Sequence, residues 1–165
     1  MISAHEGGGG GTPRTALVML GCPQLCAQTS GALFLLNELA ACGIDAMVAG
    51  TPSACAHLAV ADPAGHYLGA HMDIDECIAE LAEGEQDYDF CFVFIHNDAG
   101  VAYAATLASI SGGATIALIF GEHAEELASG LEGIRCEKHI IRGGHNPLPM
   151  KRTLREVVAW VALKN

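Results

Sequence analysis

Six consecutive side chains with neither charge nor amide, Phe90-Cys91-Phe92-Val93-Phe94-Ile95, stop abruptly at His96, Asn97 and Asp98. A strand with one face in water alternates apolar and polar residues. An unbroken apolar run instead predicts a strand covered on both faces, here from about Asp89 to Ile95. Such a strand needs helices above and below its sheet, which restricts the chain to a layered α/β architecture. The three polar residues then fall on the loop at the strand's carboxyl end. Polar groups beside so apolar a strand are costly unless paired or used, so function is sought on that loop.

The same grammar recurs along the chain. Thr15 to Leu20 is an apolar run ending at Gly21, and Ala114 to Phe120 is another ending at Gly121. Ile44 to Ala49 supplies a further strand, and Arg135 to Ile141 has the mixed alternation of an edge strand. Between them lie helical stretches. One starts at Pro23, or at the capping residues Thr29 or Ser30, and runs to Cys42 with Gly43 as its stop. A second opens at Thr51-Pro52 and reaches about Val60, and a third, capped by Asp73 or Asp75, runs to Ala82. Val101 to Ile110, Ala124 to Leu131 and Lys151 to Leu163 complete the set, and residues 61–71 read as a loop with room for a short extended piece. The expected fold is a three-layer α/β/α sandwich around a mostly parallel, five-stranded sheet of flavodoxin- or Rossmann-like type, one domain over 14–165. With the strands in order 2-1-3-4-5, ligands bind outside the carboxyl ends of the first and third, where the chain changes direction. Gly21-Cys22 and His96-Asn97-Asp98 then face each other.

Bulk properties narrow the function. The 165 residues, 51% apolar and 16% charged, suit one globular domain. Nineteen acidic against eight basic residues give a net charge of −11, which argues against nucleic acid and anionic membranes as partners. Mean hydropathy is positive, +0.33, yet no apolar run approaches the roughly 20 residues of a spanning helix. The surplus is assigned to core and to an oligomer interface. Seven cysteines, odd in number and scattered, suit reduced thiols in the cytoplasm better than a secreted disulfide framework. Residues 1–13, with Gly7 to Gly11, read as a flexible lead-in without the basic and apolar regions of a secretory signal.

Four constellations carry chemistry. In Gly21-Cys22-Pro23-Gln24-Leu25-Cys26, a thiol near a helix amino terminus is favoured as thiolate. The three-residue gap between the cysteines misses the two-residue spacing of thioredoxin-type pairs, and Thr29 stands where an iron–sulfur motif needs a further cysteine. The alternative is a small residue at a tight turn. In His96-Asn97-Asp98-Ala99-Gly100, Asp98 is placed to cap the next helix and His96 to act as ligand, donor or general base, against the alternative of plain turn and cap residues. His66-Tyr67, His123 and His145 lie on loops able to converge with His96 and Cys22, but no tight ligand spacing exists and no metal is assigned. Glycines at 21, 100, 121 and 143–144 offer close backbone N–H groups to an anion, without the glycine fingerprint or Walker lysine of nucleotide sites.

Leu20-Gly21-Cys22-Pro23-Gln24 with Gln28-Thr29, Ala61-Asp62-Pro63-Ala64-Gly65-His66-Tyr67, and Phe94 through Tyr103 together resemble an uncharacterised archaeal family of small α/β proteins from methanogens and their relatives, over about residues 14–163. The resemblance implies a cytoplasmic, self-associating protein without an established activity, and it adds weight to the stretches around His66 and His96. The glycine-rich lead-in departs from it. The expected function is binding of a small, anionic metabolite or cofactor of unknown identity. Gly21, Gln24, Thr29, His66, Tyr67, Asn97, Asp98, Gly100 and Gly121 supply contacts, and His96 and Cys22 any chemistry. A homodimer or other homo-oligomer is expected. The rivals are a thiol-redox or metal protein using Cys22, Cys26 and nearby histidines, and a non-catalytic accessory subunit.

Overall fold

In the computed structural model, which describes residue 12 and residues 14–164, strand and helix alternate: β1 (Thr15–Leu20), α1 (Cys26–Ala41), β2 (Asp45–Gly50), α2 (Pro52–Ala61), β3 (His71–Asp73), α3 (Ile74–Glu83), β4 (Phe90–Ile95), α4 (Asp98–Ile110), β5 (Ala114–Phe120), α5 (Ala124–Ser129), β6 (Glu137–Ile141) and α6 (Pro147–Leu163). The lead-in expected over 1–13 lies outside the described residues, Thr12 excepted. All pairings are parallel, and the sheet order is β3-β2-β1-β4-β5-β6. The five expected strands stand in the expected order. The sixth, β3, adds to the β2 edge where the expected loop with its short extended piece meets the expected helix cap, and three residues carry no periodicity that marks a strand.

The central strands are apolar throughout because both faces are covered. Ala16, Val18, Leu20, Phe92 and Phe94 point to a layer made by α1, α2 and α6. Leu17, Met19, Cys91, Val93 and Ile95 point to α3, α4 and α5 on the other side. Every residue of β4 is buried. The outermost β6 is half polar, with Glu137 and Lys138 exposed, as suits an edge. Among the described residues no helix is long and apolar enough to cross a membrane.

Helix starts follow the caps. The Asn97 side chain accepts from the Gly100 N–H, so α4 begins at Asp98 and the cap is Asn97, not Asp98. Asn146 accepts from the Leu148 N–H with Pro147 at the first helical position, which starts α6 four residues earlier than the apolar pattern implies. Asp73, the first of the two expected candidates, caps α3. α1 begins at Cys26, between the two expected starts. Its N-cap residue is Leu25, which brings no side-chain hydrogen bond, and its first turn holds no acidic residue. The first-turn N–H groups of a 16-residue helix are thus left without the usual side-chain acceptor.

Candidate functional site

β1 and β4 are neighbours, but the chain leaves β1 for a helix on one face and β4 for a helix on the other. The loops following them are therefore driven apart, and a crevice opens between. Gln24 bridges it. Its backbone N–H donates to His96 Nε2 at 3.4 Å, and its side-chain Oε1 accepts from Asn97 Nδ2 at 3.2 Å.

These bonds fix the state of His96. With Nε2 accepting, the proton of the neutral ring sits on Nδ1. That nitrogen is buried and has no partner at hydrogen-bonding geometry. The ring leans on Phe120, centroid to centroid 5.2 Å. Burial holds the imidazole below the ordinary histidine range, and the backbone of Cys22 opposes this more weakly. A half-buried histidine kept neutral, with Nδ1 shut off from solvent and Nε2 held by Gln24, meets the cavity with its ring and not with a free N–H.

The loops after β5 and β6 close over the same place. Gln24, Leu25, His96, Gly121, Glu122, His123, Gly144 and His145 line one cavity of about 220 Å³. Leu25 sets the spacing. A Cβ on Gly121 would stand 3.0 Å from Leu25 Cδ1, and one on Gly144 3.3 Å from the same atom. Gly121 also has φ +98°, a conformation that a side chain would strain. His123 and Glu122 are exposed at the rim, and the 3.7 Å contact of His123 with Glu126 is a surface pair of little energetic weight.

A second concavity adjoins the first. Between the start of α1 and helix α2 lies a cleft of about 610 Å³ lined by Pro23, Gln24, Leu25, Cys26, Thr29, Ala56, His57, Val60 and Ala61. Gln24 and Leu25 belong to both.

The expected site residues divide accordingly. Gln24, His96 and Gly121 line the four-loop cavity, Asn97 holds Gln24, and Thr29 lies in the adjoining cleft. Cys22 is exposed on the bridging loop, and Cys26, not Cys22, occupies the helix amino terminus. Asp98 is exposed in the first turn of α4. Two glycines have backbone groups engaged within the protein. The Gly21 carbonyl accepts from Gln28 Nε2 at 2.8 Å, and the Gly100 N–H serves the α4 cap. Gly100 also lets α4 close on β4, since a Cβ there would meet Ile95 Cα at 2.9 Å. His66 and Tyr67 line neither concavity. Their N–H groups, with that of Leu68, donate to Asp62 at 2.8–2.9 Å, and these bonds, Leu68's foremost, hold the Asp62 carboxyl below its ordinary range.

Of the histidines expected to converge, His96, His123 and His145 do and His66 does not. Among the described residues no three His, Cys, Asp or Glu side chains are disposed to hold a metal ion. Two participants were not among the expected site residues. Leu25 is a leucine in a loop, outside any periodic pattern, and Gln28, whose amide ties Gly21 to α1, is a polar residue 1% exposed in an otherwise ordinary helical turn. A polar side chain at a core-facing position was the available clue to Gln28.

Comparison with known proteins identifies the family and the fold. The uncharacterised protein MJ0452 of Methanocaldococcus jannaschii is 31% identical over 149 residues, covering 88% of this chain and 97% of its own length. The solved structure of MT0777 superposes with a TM-score of 0.80 at 34% identity, over 88% of this chain and 97% of that one. A dodecameric, FMN-dependent Ubix-like decarboxylase from Escherichia coli shares the fold alone, with a TM-score of 0.56 at 10% identity over 91% of this chain and 96% of its own. Residues 17–157 match the model of a domain of unknown function, DUF1890, and the chain belongs to that family.

Proposed function

We propose that this protein binds a small anionic metabolite or cofactor at the carboxyl ends of its strands, with the anionic group in the four-loop cavity. The observation that carries the reading is the meeting of the loops after β1, β4, β5 and β6 on one cavity beside an α1 amino terminus that has neither a capping side chain nor an acidic first turn. Oriented N–H groups attract an anion locally, whatever the net charge of the molecule. The amino terminus of α4 is already served by Asn97 and Asp98, so the anion belongs to α1. Gln24 and the backbone at Gly121 supply contacts, and the His96 ring lines the cavity beside them. Where a reaction follows binding, His96 moves the proton and Cys22, whose backbone meets His96, supplies the thiol. Self-association is proposed alongside, from apolar side chains such as Leu148 and Leu163 left exposed; native mass spectrometry reads it directly.

The test is an amide and imidazole NMR titration with inorganic phosphate and with flavin mononucleotide, the latter because the decarboxylase of like fold is FMN-dependent. Shifts are expected at Gln24, Cys26, Ala27, Gly121 and Gly144 and on the His96 ring. Gln24→Ala weakens binding by roughly tenfold, the worth of about one hydrogen bond. Shifts confined to other surfaces, or none at millimolar phosphate, sink the reading.

A further inference from the structure

The four-loop cavity is small for a whole ligand. Its 220 Å³ lies below the roughly 300–1,000 Å³ of small-molecule sites, so it accommodates one compact head group. The remainder of any larger molecule has to leave past the cavity wall. Gln24 and Leu25 form the part of that wall which is shared, and on their far side is the 610 Å³ cleft between α1 and α2. Its chemistry is different. Pro23, Leu25, Ala56, Val60 and Ala61 present hydrocarbon, with Thr29 and His57 the main polar exceptions. Val60 is 82% exposed although α2 buries Ala54 and Leu58 against the core, so core packing does not explain an apolar residue there. The uncapped end of α1 adjoins both: its N-cap Leu25 lines the two concavities, and its first residue, Cys26, lines the α1–α2 cleft.

Building on the anion-binding reading, we infer that the ligand is amphipathic: a compact anionic group sits in the four-loop cavity and a joined apolar body lies over Leu25 into the α1–α2 cleft. Burial of the apolar body supplies affinity, and the head group fixes which end enters the loops. The cleft has no carboxylate, lysine or arginine side chain along its wall, so a second charge on the body is disfavoured.

A homologous series of probes tests this on the full chain: inorganic phosphate, then methyl, butyl and hexyl phosphate, with phenyl phosphate to compare a ring with a chain and hexanol as the uncharged control. Affinity is expected to climb about threefold to fourfold for each methylene that enters the cleft, with the Val60 methyl signals shifting only for the longer probes. Val60→Asp flattens the climb and leaves inorganic phosphate binding unchanged, whereas Ile140→Asp, at an exposed apolar side chain that lines neither concavity, leaves the climb intact. Whichever of phenyl and hexyl phosphate binds tighter at six carbons tells a ring from a chain, and either order supports the inference. Phosphate binding at the loops with no dependence on chain length overturns the inference and spares the anion-binding reading. Equal affinity for hexanol and hexyl phosphate, or self-association that Val60→Asp abolishes, gives the cleft to another occupant and likewise overturns it. Absence of any phosphate binding removes the reading on which it rests.

Discussion

The two ring nitrogens of His96 have opposite fates, one bound to Gln24 and one buried without a partner. An imidazole held below its ordinary range by burial resists protonation only while the chain is folded. The unfolded chain takes up that proton near pH 6.5. Between that value and the lower folded one, the unfolded state binds more protons, so stability falls as the pH drops, and levels off once the folded ring is protonated too. His139, also held low by burial, acts in the same direction. Urea unfolding is therefore expected to show lower stability at about pH 5.5 than at about pH 7.5, with His96→Gln reducing the difference. A variant with the same pH dependence as the parent would remove His96 from this account. An anion in the cavity favours the cationic form of the neighbouring ring, so phosphate is expected to raise the pH at which the ring titrates.

At the scale of elements, Asn97 has two tasks: its Oδ1 caps α4 and its Nδ2 holds the β1 loop. They separate by substitution. Asn97→Ala loses both and is expected to cost about 1 kcal/mol in denaturant unfolding, the usual worth of a cap. Asn97→Asp keeps the cap and loses the bond to Gln24, so it retains most of the stability while amide exchange at Gln24 quickens. Equal losses in the two variants would show that the cap is not the stabilising part. The elements themselves were legible to different degrees. β1, β4 and β5 declare themselves because burial on both faces leaves continuous apolar runs. β3 does not, since three residues held by backbone bonds to β2 need no side-chain pattern. The candidate site was half legible. Strand order turned two polar loops into opposite walls of a crevice, which named Gln24, His96 and Asn97. The contacts of Leu25 with Gly121 and Gly144 depend on how far the β5 and β6 loops reach, and spacing along the chain does not encode that reach. His66 looked like a site residue because histidine and tyrosine in a loop draw attention, whereas Asp62 is the residue that organises that loop.

For the molecule as a whole, the cysteines report on the fold. Cys22, Cys26 and Cys42 are exposed, while Cys77 and Cys91 are buried in the layer under α3 and α4, where burial pushes their thiols up to about 12 and about 11. Thiolate is the reactive form, so the buried pair is protected by both pKa and access. Iodoacetamide labelling followed by peptide mapping is expected to modify the three exposed thiols in the native protein, with Cys77 and Cys91 slower by at least about a thousandfold because they wait for unfolding. Labelling of Cys77 at the rate of Cys22 would place the α3 layer wrongly.

The register of the sheet also sets an order of events. β1 finds β2 within a short span of chain, but Thr15 and Asp89, bonded at the foot of the β1–β4 pair, are 74 residues apart. During vectorial synthesis, β1 emerges with its β4 side open and stays so until β4 arrives, and a long loop of this kind closes slowly. The bridge from Gln24 to His96 and Asn97 exists only after that closure. Binding competence is thus a late event in the life of each chain, and a truncated product ending before β4 lacks His96 and Asn97 and holds no anion.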